Sequence, residues 1–144
     1  MKNDLTAKAS VKINAPIAKV WEGLTNPTLI KKYMMGATVA CDWGKGSKIT
    51  WSGEFKGKKY EDKGEILDIE AEKKLQYSHF SPMSGEEDVP ENYHTVTIDL
   101  LAEDGQTTVT LLQDKNKTEE AKEESEKNWK SMLDGLKKVV EEKE

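Results

Sequence analysis

Nine positions from Leu5 to Ile13 alternate between apolar and polar residues, with Leu5, Ala7, Ala9, Val11 and Ile13 on one side. Period-two alternation gives a strand one buried and one wet face, the pattern of an antiparallel sheet covered on one side. Asn14-Ala15-Pro16 ends the run, and Pro16 suits the first turn of a helix. Ile17, Val20, Trp21 and Leu24 follow at i, i+3, i+4 and i+7, the stripe of a short helix. Asn26-Pro27 stops that helix and caps a second short one through Leu29, Ile30 and Tyr33.

From Gly36 to Gln113 the pattern predicts strand after strand. Ala37 to Trp43 reads as a strand closed by Gly44-Lys45-Gly46; Ile49, Trp51 and Phe55 share the apolar phase of the next. Lys56-Gly57-Lys58 is a turn, and Tyr60 to Ile69 returns as a long strand in which Gly64 marks a bulge or sharp bend. Leu75, Tyr77 and His79 share one phase; after the polar loop Ser81–Asn92, Tyr93–Ala102 carries Val96, Ile98 and Leu100 on another. Asp104-Gly105 is a hairpin signal, and Thr107–Gln113 is the returning strand. Residues 118–140 predict one long helix: Thr118 caps it, Glu119 and Glu120 suit its positive end, and Trp129, Met132, Leu133, Leu136 and Val140 form its apolar stripe. No linker or repeat divides the 144 residues, so the expectation is a single domain over 1–144.

Composition removes several function classes. The 27 acidic residues outnumber 22 basic ones for a net charge of −5, with no basic stripe, so no nucleic-acid partner is expected. Every basic residue is lysine, which excludes a bidentate arginine clamp within the chain. No apolar run approaches the roughly 18 residues needed to cross a bilayer, and Met1–Leu5 carries no h-region, so the expected location is the cytoplasm, without a membrane partner. Cys41 is the single cysteine, which leaves no intrachain disulfide and no cysteine-based zinc site.

The order of elements, with Ala15-Pro16-x₃-Val20-Trp21-x₂-Leu24, Asn26-Pro27 and the ending Asn128-Trp129-x₂-Met132-Leu133-x₂-Leu136-Lys137, resembles the START-like (SRPBCC) helix-grip superfamily. The ending is similar to the branch related to the C-terminal domain of the activator of heat-shock-protein-90 ATPase. The resemblance implies an α+β helix-grip fold: a curved antiparallel sheet of six to seven strands wrapped around a long C-terminal helix, with two short helices after the first strand. It implies an apolar cavity between sheet and helix. The eukaryotic activator carries a further N-terminal domain with an Asn- and Trp-rich motif ahead of it. This chain begins four residues before its first strand, so the expectation is little stimulation of a heat-shock-protein-90 ATPase.

Candidate chemistry is sparse. Trp21, Trp43, Trp51, Tyr60, Tyr77 and Trp129 either line a ligand cavity or fill an ordinary core. His79 and His94 flank the long loop in phase with apolar neighbours, as structural residues, polar anchors for a ligand, or metal ligands lacking a third partner. No metal or cofactor is expected. Cys41 forms no recognisable nucleophile motif with either histidine, and Glu61, Asp62, Glu65, Asp68 and Glu70 read as solvated strand faces. Gly44-x-Gly46 lacks the helix and lysine of a phosphate loop. Continuing the helix stripe toward its N-terminus brings Ser125 and Lys122 to the inner side, which places the cavity mouth there. The cavity candidates are therefore Trp21, Trp51, Tyr77, His79, His94, Lys122, Ser125 and Trp129. Three functions follow: a module binding a small apolar ligand, a chaperone-interacting stress protein, or a cyclase- or hydrolase-type enzyme on the same fold. No catalytic constellation supports the last.

Overall fold

The computed structural model describes residues 5–141 except 35, 56, 82–86 and 117. In chain order the elements are β1 (Ala7–Ile13), α1 (Ile17–Thr25), α2 (Pro27–Tyr33), β2 (Thr38–Cys41), β3 (Lys48–Phe55), β4 (Lys58–Glu70), β5 (Lys74–His79), β6 (His94–Glu103), β7 (Gln106–Gln113) and α3 (Glu119–Glu141). A single turn of 3₁₀ helix, Pro90–Asn92, precedes β6.

All seven strands form one antiparallel sheet in the order β1-β7-β6-β5-β4-β3-β2. The strand that opens the chain pairs with the last one, Val11 opposite Val109, while the other pairs are sequential neighbours. The seven-stranded sheet, long C-terminal helix and two short helices after β1 make a helix-grip fold.

Local chemistry explains the element ends. Asn26 accepts a hydrogen bond from the Thr28 amide (2.9 Å), capping α2, and Thr118 accepts one from Ala121 (3.0 Å), capping α3. Asp104 and Gly105 both take positive φ, 50° and 80°, in the two-residue turn between Glu103 and Gln106. β2 is shorter than the expected Ala37–Trp43 strand. Its pairing with β3 stops at Cys41, and Trp43 leaves the ladder at φ 56° with its amide donating to the Cys41 sulfur at 3.2 Å.

The core lies between the concave sheet face and the helices. Leu133 and Leu136 of α3 are fully buried, with Val140 close behind, among Val20, Leu24, Ile98, Val109 and Leu111. A methyl group on Gly23 would meet Val140 at 2.8 Å and Leu136 at 2.9 Å, so α1 crosses α3 as closely as its backbone permits. The N-terminal half of α3 is held to β1, where the Lys8 amide donates to Glu126 at 3.0 Å. The helix thus closes on the β1 side of the sheet, and its Trp129–Met132 segment stands over a gap toward β3, β4 and β5.

Candidate functional site

Period-two phasing carries Trp51 of β3, Tyr60 and Asp62 of β4, and Tyr77 and His79 of β5 to the concave face. There they meet Trp129 and Met132 from α3 and Tyr33 and Met34 at the end of α2. Together these residues border an open cavity of about 460 Å³, with Asn128 and Ser131 at its exposed mouth. The volume falls within the range of pockets that bury small molecules.

Aromatic rings dominate its walls. The Trp51 and Tyr77 rings lie 5.2 Å apart at 48°, and Trp51 meets the His79 imidazole edge-on at 5.1 Å. His79 Nε2 lies 3.1 Å from Asp62 Oδ2, and each side chain keeps about a fifth of its surface exposed (22% and 20%). With Asp62 ionised, Nε2 carries the proton and donates it to the carboxylate. Met34 and Met132 also border a void of about 20 Å³ deeper in the core, beside Ile49 and Leu75. Flexible thioethers at this position allow the cavity floor to adapt.

Burial acts on two of the three phenols that border the cavity. Burial pushes the Tyr33 phenol far above its ordinary value, with Tyr77 adding to the effect; its ring is half-buried, but its hydroxyl donates inward to the Gly23 carbonyl at 2.8 Å. Burial also pushes Tyr77 far up, and among the described residues its hydroxyl has no hydrogen-bond partner. The unfolded chain ionises such a phenol near pH 10 while the folded chain keeps it protonated, so stability is intact below that pH and falls above it by about 1.4 kcal/mol per pH unit. Tyr77→Phe is therefore expected to leave melting unchanged at pH 7 and to make the alkaline decline shallower. Thermal melts from pH 7 to 11.5 check this; identical alkaline slopes would contradict it.

Of the residues selected from sequence, the fold brings together Trp51, Tyr77, His79 and Trp129. It does not bring in the other four. Trp21 borders a separate shallow depression with Thr25, Trp43 and Ile69. His94 stands directly opposite His79 in the β5–β6 pair, yet its Nδ1 lies 2.8 Å from the Asp114 carbonyl and its ring leaves the cavity. Ser125 donates to the buried Asn116 at 2.9 Å, and Lys122 lies 3.7 Å from Glu126. The cavity borders Asn128 and Ser131 of α3, about one turn along from the Ser125 and Lys122 expected from sequence. The helical projection gave the right side of α3, but beneath its first turns lie β1 and the segment after β7 instead of open space.

Asp62, read from sequence as a solvated carboxylate, is the principal residue missed. The signal was present: Tyr60, Asp62 and Ile66 share one phase of β4, and a charge in an apolar phase marks a polar group turned inward. Trp129 also differs from a plain core residue. Half-buried at the cavity wall, it donates its indole N–H to the buried Gln113 side chain at 2.6 Å.

A larger concavity, about 700 Å³, occupies the opposite, convex face, bordered by Lys48, Thr50, Glu65, Thr95 and Lys115. Its lysines stand in solvent, and Lys63 is already paired with Asp88, which also accepts from the Tyr93 hydroxyl at 2.6 Å. This contact and the Phe80–Tyr93 stack (5.1 Å) draw the described part of the 81–92 loop to the convex face. Residues 82–86 of that loop, including Glu86 of its expected acidic rim, lie outside the described residues. Among the described residues no cluster of three or more His, Cys, Asp or Glu is placed to hold a metal ion, and no helix is long and apolar enough to cross a membrane.

Residues 14–141 match the family described as Activator of Hsp90 ATPase homolog 1-like protein. The solution structure of ChR145 from Cytophaga hutchinsonii is similar with a TM-score of 0.86 and 55% identity, covering 98% of this chain and 97% of that one. CalU16 from Micromonospora echinospora shares the fold at a TM-score of 0.71 and 22% identity, over 92% of this chain and 71% of that one. The Aha1 dimer from Colwellia psychrerythraea shares it at 0.72 and 18%, over 94% and 96%. No protein of curated function matches the sequence.

Proposed function

Because the chain belongs to the Activator of Hsp90 ATPase homolog 1-like protein family, we propose that it works as a cytoplasmic binding module that takes a small, largely apolar molecule between sheet and α3. The observation that carries this reading is the aromatic cavity of about 460 Å³, with Tyr77 in its wall and, among the described residues, no protein partner for the Tyr77 hydroxyl. The space is open to water, so Trp51, Tyr60, Tyr77 and Trp129 present apolar surface there that a bound apolar molecule would cover.

Two features favour binding over the other functions. The two histidines, the only convergent pair the sequence offered an enzyme, turn to different partners. Among the described residues Leu101 is the one large apolar side chain mostly in solvent, at 59% exposure. An isolated leucine is not the broad apolar patch on which a chaperone would dock.

Ser131 is exposed on α3 at the cavity mouth, so a large residue there obstructs the opening without disturbing the core. Titration of the neutral fluorescent probe Nile red is expected to saturate with the natural chain and to weaken by about tenfold or more in Ser131→Trp, a loss of about 1.4 kcal/mol. Equal affinity in a folded Ser131→Trp variant would contradict the reading.

A further inference from the structure

Resting on that reading, the charge and shape of the cavity wall narrow the ligand class. The chain holds 22 lysines, yet among the described residues none borders the cavity. Among the described residues its one acid and one base are Asp62 and His79, held at 3.1 Å. The pair carries net charge −1 with a neutral imidazole and zero with a protonated one. Neither state offers surplus positive charge to a second carboxylate. A buried anion without a partner is costly, so acyl-chain acids and other carboxylates are disfavoured by the wall itself.

Shape points the same way. Trp51, Tyr60, Tyr77 and Trp129 present flat rings, and Met34 and Met132 supply soft surfaces that pack on ring edges and faces. Tyr77 is 4% exposed and lacks a protein partner for its hydroxyl among the described residues. Among the described residues no buried side-chain polar atom is left unsatisfied, so this hydroxyl opens onto the cavity, where a ligand oxygen would meet it.

We infer that the ligand is an uncharged, flat, multi-ring molecule whose hydroxyl or carbonyl oxygen hydrogen-bonds to Tyr77, and that Asp62 excludes anionic molecules of the same shape. Burial keeps the phenol protonated, so Tyr77 can donate to a carbonyl or hydroxyl throughout the neutral range.

Two probes of equal ring shape test this: 1-pyrenemethanol and 1-pyrenecarboxylate, titrated into the full chain while tryptophan quenching is followed. The alcohol is expected to bind saturably and the carboxylate about tenfold or more weakly. Tyr77→Phe is expected to weaken the alcohol by about three- to tenfold, with melting unchanged at pH 7. Asp62→Asn is expected to narrow the gap between the probes. Carboxylate binding equal to or tighter than the alcohol in the natural chain overturns the charge selection, and undiminished alcohol binding in Tyr77→Phe overturns the oxygen anchor. If both probes bind equally and both are lost in Ser131→Trp, the cavity reading stands while the selection fails. If the alcohol binds the natural chain no better than Ser131→Trp, both fall.

Discussion

Gly64→Ala is expected to destabilise the protein by about 3 kcal/mol or more, through overpacking against main chain that has nowhere to move. A Cβ on Gly64 would lie 1.7 Å from the Ser78 carbonyl oxygen and 2.6 Å from its carbon. Both are backbone atoms of β5, fixed by the Lys63–Phe80 bridge on one side and the Ile66–Tyr77 pair on the other. Between those anchors the Glu65 amide bonds to the Ser78 hydroxyl at 3.0 Å, and the register then shifts between Ile66 and Asp68. Glycine permits the close approach that bends β4 over β5, and the bend sets Asp62 against His79. Folded domains hold only about 5–15 kcal/mol in reserve, so a large part of the stability is at stake. Urea unfolding of the two proteins measures the cost; a loss under about 1 kcal/mol would show that the strands can separate to admit the methyl group.

Leu133→Ala is expected to cost about 3–5 kcal/mol, the range for truncating a buried leucine whose surroundings do not collapse. Leu133 is fully buried at the contact of α3 with the core, next in the stripe after Met132 at the cavity wall. Collapse is hindered on both sides, since α1 is already at its closest approach through Gly23 and a Cβ on Gly135 would meet Tyr33 at 3.0 Å. The neighbouring Met132→Ala should cost less, because its side chain is half-buried against space that is already open. Chemical unfolding of both variants checks the order; equal losses would place the open space elsewhere.

The element order was legible because each signal was local. The alternation in β1, the caps at Asn26 and Thr118, and the Asp104-Gly105 turn depend on residues a few positions apart. The C-terminal stripe was legible too, but it divides in the fold. Leu133, Leu136 and Val140 enter the core, whereas Trp129 and Met132 stand at the cavity. Periodicity tells which side of a helix turns inward; it does not tell what lies beneath. Ser125 and Lys122 show the limit, since α3 leans on β1 along its first turns. The directions of the histidine rings were equally hidden. Phase sets Cβ on one face of the sheet, but Asp62 two strands from β6 and the Asp114 carbonyl after β7 decide where each imidazole goes. Both partners are remote in sequence.

A small molecule held between the concave sheet and α3 would leave its mark on the residues around it. Amide and indole chemical shifts, followed while 1-pyrenemethanol is added to saturation, locate the occupied surface residue by residue. Saturable changes are expected around Trp51, Asp62, Tyr77, His79 and the Trp129 indole, with little change at Lys48, Thr50 and Lys115 on the convex face. Changes centred on those convex-face residues, or none around Trp51 and Trp129 at saturation, would contradict the binding reading.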